Sequence, residues 1–302
     1  SLIGQISEAI AQEALAYNVG LVLGPGINIK RDPLNGRNFE YISEDPYLSG
    51  KMAASFIKKA QEKGIGTSLK HFAFNNQEYK RFNSDSVMDE RTMREIYLTG
   101  FEIAVKEGKP ATLMSAYNKI NGIHCSDSKM LLNDILRDEW GFEGLVVTDW
   151  GGMHDRIEAF KAGCDLSMPG GSDYMEKDVL AAVKAGDLPE SAIDVCANRV
   201  LGLVFNAAKA LKGTYKFDED EHHALAARGA EQGAVLLKNE GLLPLSDQES
   251  IAVIGHMAGA MRYQGAGSSH INPTRLVNPI DAMPDAVFAK GCDIRGNTNS
   301  AL

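Results

Sequence analysis

The chain has 302 residues, of which 44% are hydrophobic and 24% are charged, and this balance excludes disordered and collagen-like proteins. Its 40 acidic and 31 basic residues give a net charge of −9, and the basic residues are scattered, which argues against a nucleic-acid partner. No stretch approaches the ~20 apolar residues of a membrane-spanning helix, so no membrane partner is expected.

The four cysteines lie far apart, and none belongs to a Cys-x-x-Cys pair: Cys125, Cys164, Cys196 and Cys292. This spacing excludes a zinc-binding cysteine motif and a small disulfide framework. It favours a reducing compartment, so we predict a cytoplasmic location. The residue pattern predicts no metal site and no other cofactor. Because the chain opens at Ser1 inside a helical pattern and ends soon after a new domain begins, we expect it to be part of a longer protein.

Residues 1 to about 205 alternate short β-rich runs with amphipathic segments, a pattern typical of a parallel α/β fold. Helices are predicted at residues 5–17, 46–62, 89–106, 128–140, 154–162, 173–185 and 190–211. Strands are predicted at residues 19–23, 66–69, 111–115, 144–148 and 165–168. Each strand is a continuous run rather than an alternating one, as buried parallel strands are.

This arrangement predicts a partial (β/α)8-type, TIM-like barrel. A closed barrel needs eight strands, and we expect the missing ones upstream of Ser1. A doubly wound open sheet stays an alternative, because five strands fit both architectures. Local signals agree with the predicted helices, since Asp45-Pro46 forms an N-cap followed by a first helical residue and Gly141 suits a C-terminal cap.

The predicted domain organisation has a barrel over residues 1–211, a linker over residues 212–220 and the start of a second α/β domain over residues 221–302. The linker (KGTYKFDED) is rich in glycine and charge. After it come a predicted helix at 221–232 and a predicted strand at 251–254.

Each predicted strand ends in polar or turn-forming residues. These clusters are Asn28 with Arg31 and Arg37, Lys70-His71, Tyr117-Asn118, Asp149-Trp150 and Met168-Pro169. Because the carboxyl ends of barrel strands meet at one rim, the clusters are expected to converge. Solvated strand ends are polar in any protein, so a single cluster carries little weight. Five such clusters at one rim together indicate a functional site.

Asp149 is the sharpest candidate, because it emerges directly from the apolar strand 144–148 with Trp150 beside it. A carboxylate in this position can act as a nucleophile when nearby cations keep it ionised, and Lys70, Arg37 and Arg31 could supply that charge. The alternative is a structural aspartate that caps a helix or forms a salt bridge.

Lys70 and His71 suit hydrogen bonding to the hydroxyls of a polar substrate. As consecutive residues of an extended strand they would face opposite ways, so both reach one pocket only if the strand end is irregular. Lys70 could instead form a Schiff base with a carbonyl substrate, as in a lyase. It could also pair structurally with Glu40 or Glu44.

Several of these segments resemble glycoside hydrolase family 3. Residues 31–40 (RDPLNGRNFE) and 43–46 (SEDP) resemble the signature loop of that family. Further similar segments lie at residues 70–73, 75–78, 115–118, 121–122, 147–151 and 162–170, and residues 234–239, 242–245 and 265–269 resemble the opening of its second, α/β sandwich domain. The resemblance covers nearly the whole chain and is greatest to bacterial β-glucosidases.

The resemblance implies a retaining exo-glycosidase that releases terminal β-D-glucosyl residues from small oligosaccharides or from aryl and alkyl β-glucosides. Asp149 matches the nucleophile of the family. The hydroxyls of the terminal sugar would be bound at Arg37, Lys70 and His71. Tyr117 matches the tyrosine beside the nucleophile, Trp150 would line the sugar pocket, and Glu40 would orient Lys70 or Arg37.

The resemblance also implies that the acid/base glutamate comes from the second domain beyond residue 302, and that an aspartate holding the sugar lies before Ser1. β-Xylosidase or another exo-glycosidase activity of the family stays an alternative. More remote alternatives are a Schiff-base lyase using Lys70 and a sugar-binding relic without turnover. Whether the protein forms a homo-oligomer is left open.

Overall fold

The computed structural model describes residues 1–170, 173–246, 249–263 and 267–291. Cys292 and part of the segment 265–269 lie outside the described residues. The chain divides into two compact units, Ser1–Gly229 and Ala230–Leu302. The division falls within helix Glu219–Gly233, whereas residues 212–220 belong to the first unit. The predicted domain boundaries stay a prediction.

The first unit is built from short strands and longer helices in alternation. The strands are β1 Leu21–Val22, β2 Gly66–Phe72, β3 Asp85–Ser86, β4 Thr112–Ser115, β5 Lys119–Ile120, β6 Ile123–His124 and β7 Leu145–Thr148. The helices are Leu2–Ala16, Pro46–Glu62, Met130–Glu139, Arg156–Ala162, Asp173–Ala185, Glu190–Ala210 and Glu219–Gly233, together with a continuous helical segment over 90–108 that contains two π-helical stretches.

The central sheet has the order β1-β2-β4-β7, and its strands run parallel in the described part of the chain. Four of the five predicted strands are therefore present, joined by helices as an α/β barrel requires. The predicted fifth strand, 165–168, is reduced to a bridge between Leu166 and Val147. The carboxylate of Asp165 accepts the amide hydrogen of Val146, so a side chain rather than the backbone satisfies that donor.

Both faces of this sheet are buried, which explains why its strands are continuous runs. The face towards the outer helices forms the main apolar core, including Leu69, Phe72, Leu113 and Val146. On the other face, Met114, Leu145 and Val147 pack against partly buried Val200 and Leu203 of helix Glu190–Ala210. Each such fully buried side chain contributes about 1.5–3 kcal/mol relative to exposure, so packing fixes the positions of the strand ends.

Local capping signals define the helix ends. Asp45 caps helix Pro46–Glu62 by accepting hydrogen bonds from the amides of Tyr47 and Leu48, at 2.8 and 3.3 Å. This confirms the predicted N-cap. Gly141, predicted as a cap, has a φ of +71° and follows helix Met130–Glu139, a conformation that glycine adopts without steric cost.

A small second sheet, β3-β5-β6, lies in the loops that follow β2 and β4, with β3 parallel to β5 and β5 antiparallel to β6. The second unit contains β8 Ala252–Ile254 paired in parallel with β9 Val287–Ala289, and a short helix His256–Gly259. None of the helices in the described ranges combines the length and apolar character needed to cross a membrane.

Candidate active site

The carboxyl ends of the parallel strands place five predicted site residues together. Arg37 lies in the long loop after β1, Lys70 and His71 lie in β2, and Asp149 directly follows β7. Tyr117 follows β4 and is linked to the Asp149-Trp150 turn by a hydrogen bond from its hydroxyl to the carbonyl of Trp150, at 3.0 Å.

Asp149 is the centre of this group. Its residue is 8% exposed, and Oδ2 lies 3.3 Å from Nε2 of His71 and 3.4 Å from a terminal nitrogen of Arg37. The other oxygen, Oδ1, accepts the amide hydrogen of Trp150 at 2.7 Å. The carboxylate is therefore held in one orientation beside a permanent positive charge. This geometry suits an attacking group that must not rotate away from its target.

Glu40 ties the two cations of the site together. Oε1 accepts a hydrogen bond from Nε of Arg37, and Oε2 lies 3.0 Å from Nζ of Lys70. Burial alone would raise the pKa of Glu40, but the hydrogen bond from Arg37 and the charges of Lys70 and Arg37 outweigh it and lower the pKa. Glu40 is thus ionised. Its contacts with Lys70 and Arg37 fit both hypotheses from the sequence, namely that Glu40 orients these side chains and that it forms a structural ion pair with Lys70.

Lys70 and His71 reach the same pocket because β2 is irregular at this point. Lys70 aligns with Met114 but Phe72 aligns with Ser115, so the register shifts between them. The strand continues towards the pocket with both side chains in contact with site carboxylates: Lys70 with Glu40 and His71 with Asp149.

His71 is fully buried and neutral. Burial lowers its pKa well below the ordinary value, and the positive charges of Arg37, Lys70 and Arg81 lower it further. Asn28 fixes its backbone, since Nδ2 of Asn28 donates to the carbonyl of His71 at 2.9 Å and Oδ1 accepts its amide hydrogen at 2.8 Å. Asn28 therefore supports the site by holding the backbone of His71, and it lies among the strand-end residues that the sequence predicted to converge.

Tyr117 and Trp150 border the pocket differently. The Tyr117 ring is buried and contacts the guanidinium of Arg81, 4.5 Å from its centroid, and the ring of Phe82, at 4.4 Å. Burial and then the charge of Asp149 raise the pKa of Tyr117, so its hydroxyl keeps its proton. Trp150 is 62% exposed, and its ring is available for an apolar contact with a ligand.

The structure corrects one charge assignment. Arg31, considered as a cation beside Asp149, is exposed and donates from a terminal nitrogen to the hydroxyl of Tyr97, at 3.0 Å. The carbonyl group of Ile29 accepts the amide hydrogen of Arg31 at 2.9 Å. Arg37 alone of the two arginines contacts the nucleophile candidate in the described residues.

Three residues of the site were not assigned from the sequence: Tyr41, Glu78 and Arg81. The hydroxyl of Tyr41 lies 3.0 Å from Nδ1 of His71, and Glu78 accepts from Arg81 at 2.7 Å. The signal that could have found them is position, since they lie in the two long loops that follow β1 and β2. Among the described residues, no group of three or more His, Cys, Asp or Glu side chains is arranged to hold a metal ion.

Comparison with known proteins identifies the family. Residues 1–203 match the glycosyl hydrolase family 3 N-terminal domain, and residues 234–296 match the glycosyl hydrolase family 3 C-terminal domain. The chain therefore belongs to glycosyl hydrolase family 3. This confirms the resemblance recognised in the sequence and the predicted class of fold, a partial TIM-like barrel followed by the start of a second domain.

Several relatives are similar over nearly the whole chain. Thermostable beta-glucosidase B of Acetivibrio thermocellus is 49% identical over 91% of the chain, which spans 37% of that protein. An exo-alpha-(1->6)-L-arabinopyranosidase of Bifidobacterium longum is 44% identical over 96% of the chain, which spans 40% of it. The chain thus spans well under half the length of these curated relatives.

Solved structures show the same likeness. The Bifidobacterium adolescentis GH3 beta-glucosidase superimposes with a TM-score of 0.91 at 44% identity, over 97% of this chain and 44% of that one. Beta-glucosidase 3B from Thermotoga neapolitana, in complex with glucose, superimposes with a TM-score of 0.90 at 41% identity, over 95% of this chain and 42% of that one.

Proposed function

We propose that the protein to which this chain belongs hydrolyses terminal β-D-glucosyl residues from small oligosaccharides or from aryl and alkyl β-glucosides, with retention of configuration. The observation that carries the proposal is the buried carboxylate of Asp149, held between Arg37 and His71 at the rim of the barrel. Named beta-glucosidases among the relatives support the substrate class.

In this mechanism Oδ2 of Asp149 attacks the anomeric carbon. The C1–O bond to the leaving group breaks as a carboxylic acid gives that oxygen a proton, so an alcohol departs and a glycosyl ester remains on Asp149. Water then attacks C1, loses a proton to the same acid/base group, and releases glucose and the free carboxylate. We assign the acid/base role to no carboxyl group of this chain and expect it from the second domain.

The other residues bind and orient the sugar. Lys70, Arg37 and His71 supply hydrogen-bond donors to its hydroxyls, and Glu40 holds the two cations in place. Tyr117 borders the nucleophile with a neutral hydroxyl that donates to the carbonyl of Trp150, and Trp150 offers its exposed ring to the sugar or aglycone. Such fixed donors stabilise charge that develops in the transition state without reorganising.

A mechanism-based label tests the nucleophile. The intact protein, incubated with an activated aryl 2-deoxy-2-fluoro-β-glucoside, should gain one fluoroglucosyl group on the peptide that contains Asp149. The Asp149→Asn protein should gain none. A label on a different carboxylate, with Asp149 unmodified, contradicts the assignment.

A second candidate is an exo-acting α-L-arabinopyranosidase, which the Bifidobacterium relatives at 44% identity favour. The same constellation of nucleophile and hydroxyl donors serves either sugar. Comparing kcat/KM for aryl β-D-glucoside, β-D-xyloside and α-L-arabinopyranoside separates these activities. A higher kcat/KM for either pentoside than for the glucoside rejects β-glucosidase as the main activity.

Three further proposals have direct tests. We propose the domain boundaries 1–211 and 221–302, and limited proteolysis should then cut first within 212–220.

The isolated 302-residue chain should hydrolyse activated aryl glycosides slowly at most and leave cellobiose intact, because a poor leaving group needs the proton donor. A cytoplasmic location, proposed from cysteine usage, predicts recovery of the protein with the cytoplasmic fraction of its cells.

A further inference from the structure

A directed chain of hydrogen bonds leads from Arg81 towards His71. Arg81 donates to Oε2 of Glu78 at 2.7 Å, and this ion pair fixes the carboxylate. Oε1 of Glu78 lies 3.5 Å from Nδ2 of Asn75. Because an ionised carboxylate only accepts hydrogen bonds, it favours the NH2 side of the Asn75 amide and repels its oxygen. Asn75 is therefore oriented by charge.

The same NH2 group points at Tyr41. Nδ2 of Asn75 donates to the hydroxyl oxygen of Tyr41 at 3.2 Å, whereas Oδ1 of Asn75 is buried without a partner among the described residues. Rotating the amide by half a turn would offer Oδ1 to Tyr41 but place it against Glu78. The Tyr41 oxygen therefore accepts from Asn75, and its own hydrogen must go to another acceptor.

The remaining contact of that hydroxyl is Nδ1 of His71, at 3.0 Å. If Nδ1 carried a hydrogen, the buried phenolic hydrogen of Tyr41 would have no acceptor in this arrangement, a substantial cost in a buried site. Burial raises the pKa of Tyr41, so the phenol keeps that hydrogen. The neutral imidazole of His71 has one proton to place, and with Nδ1 as acceptor that proton lies on Nε2.

We propose that Tyr41 is a positioning residue that sets the tautomer of His71, so that His71 presents an Nε2–H donor to a hydroxyl of the bound sugar next to Asp149. Nε2 is buried and lies 3.3 Å from Oδ2 of Asp149, but it makes no hydrogen bond with any described residue, so its hydrogen is not committed to an acceptor in that part of the chain. The identity of the ligand rests on the proposed function, whereas the tautomer does not.

Nitrogen NMR of the intact protein, labelled with 15N-histidine, measures the tautomer directly. The His71 signals are identified by their loss in a His71→Asn protein. At neutral pH, unliganded His71 should show a protonated Nε2 and an unprotonated Nδ1. A proton on Nδ1, or on both nitrogens, overturns the proposal.

The Tyr41→Phe protein tests whether the hydroxyl sets this state. It keeps the ring but removes the donor to Nδ1, so the Nε2–H form should lose its dominance. Tyr47→Phe, at an exposed tyrosine that contacts Lys51, is the matched control and should leave the His71 spectrum unchanged. An unchanged tautomer in Tyr41→Phe shows that Tyr41 does not set it.

Kinetics link the tautomer to the sugar. Tyr41→Phe should lower kcat/KM for an aryl β-glucoside about tenfold, the effect of one misdirected hydrogen bond to a polar ligand. Among glucosides that each lack one ring hydroxyl, the loss should fall to about twofold for the analogue without the hydroxyl that His71 binds. An equal loss for every analogue overturns the link to the sugar. If β-glucosides are not hydrolysed at all, the proposed function fails while the NMR result still decides the tautomer.

Discussion

Nζ of Lys70 lies 3.0 Å from Oε2 of Glu40, while the second oxygen of that carboxylate accepts a hydrogen bond from Nε of Arg37. One partly buried carboxylate thus holds two cations, one from the loop after β1 and one from strand β2. Since Arg37 also contacts Asp149, Glu40 influences the nucleophile candidate without touching it. The placement of Glu40 three residues after Arg37 makes this arrangement local in the sequence.

Glu40→Gln should lower kcat/KM for aryl β-glucosides about 10- to 100-fold, because hydrogen bonds to charged groups are worth about 1.5–3 kcal/mol and a neutral amide cannot accept from both cations. The measurement is the steady-state kinetics of the intact protein. Glu44→Gln is the matched control, because Glu44 is an exposed carboxylate in the same loop. Its activity should stay within about twofold of wild type. Equal losses in the two variants would show that Glu40 has no special role.

The neutral state of His71 predicts a dependence of stability on pH. Its pKa is lowered well below the ordinary value of 6.5, first by burial and then by the neighbouring cations. Below about pH 6.5, this histidine binds a proton in the unfolded chain but not in the folded protein, so the free energy of unfolding decreases as the pH falls.

Replacing the imidazole isolates this effect. Between about pH 6.5 and pH 5, wild type should lose up to about 1.4 kcal/mol of unfolding free energy per pH unit more than His71→Gln. Urea denaturation across this range provides the measurement. Above about pH 7 the two proteins should show parallel pH dependence. Parallel curves throughout would mean that His71 does not bind its proton differently in the two states.

Signals that act over a few residues were sufficient for much of the fold. Asp45-Pro46 predicts a helix start because an N-cap residue and the backbone amides that it binds are neighbours in the sequence. The site positions at Lys70, within the last part of β2, and at Asp149, directly after β7, are visible in the sequence because a polar residue follows a run that is buried on both faces. Convergence of those ends at one rim then follows from parallel topology.

Contacts between distant parts of the chain were not predictable in the same way. Tyr41 and His71 are separated by 30 residues, and the loop conformation that joins them depends on packing rather than on a local pattern. Arg31 and Arg37 look equivalent in the sequence, yet one reaches Tyr97 and the other Asp149. Side-chain direction in a long loop is decided by tertiary structure, which a single sequence does not display.

Asp45→Ala should reduce the free energy of unfolding by about 1 kcal/mol, because two amides at the start of helix Pro46–Glu62 lose their acceptor. Urea denaturation of the intact protein measures the change. Asp45→Asn keeps a side-chain acceptor and should lose only a few tenths of that amount. If alanine and asparagine destabilise equally, the hydrogen bond is not the source of the effect.

Asp165 is a buried carboxylate that pairs with two arginines. Its side chain is buried, pairs with Arg137 at 2.9 Å and with Arg199 at 2.8 Å, and accepts the amide hydrogen of Val146 at 2.7 Å. It therefore connects β7, which leads to Asp149, with helix Glu190–Ala210. Loss of its charge would leave the largely buried Arg137 and the partly buried Arg199 without this counterion.

Asp165→Asn should destabilise the protein by about 3–5 kcal/mol, the cost of breaking a buried ion pair by removing one partner. The urea midpoint should fall accordingly, with an unchanged dependence on denaturant. Asp194→Asn, on the exposed side of the same helix that carries Arg199, should change stability by less than about 0.5 kcal/mol. Because β7 positions Asp149, the proposed nucleophile, folded Asp165→Asn protein should also react more slowly with the fluoroglucoside label. Labelling at the wild-type rate would show that Asp165 stabilises the barrel without positioning Asp149.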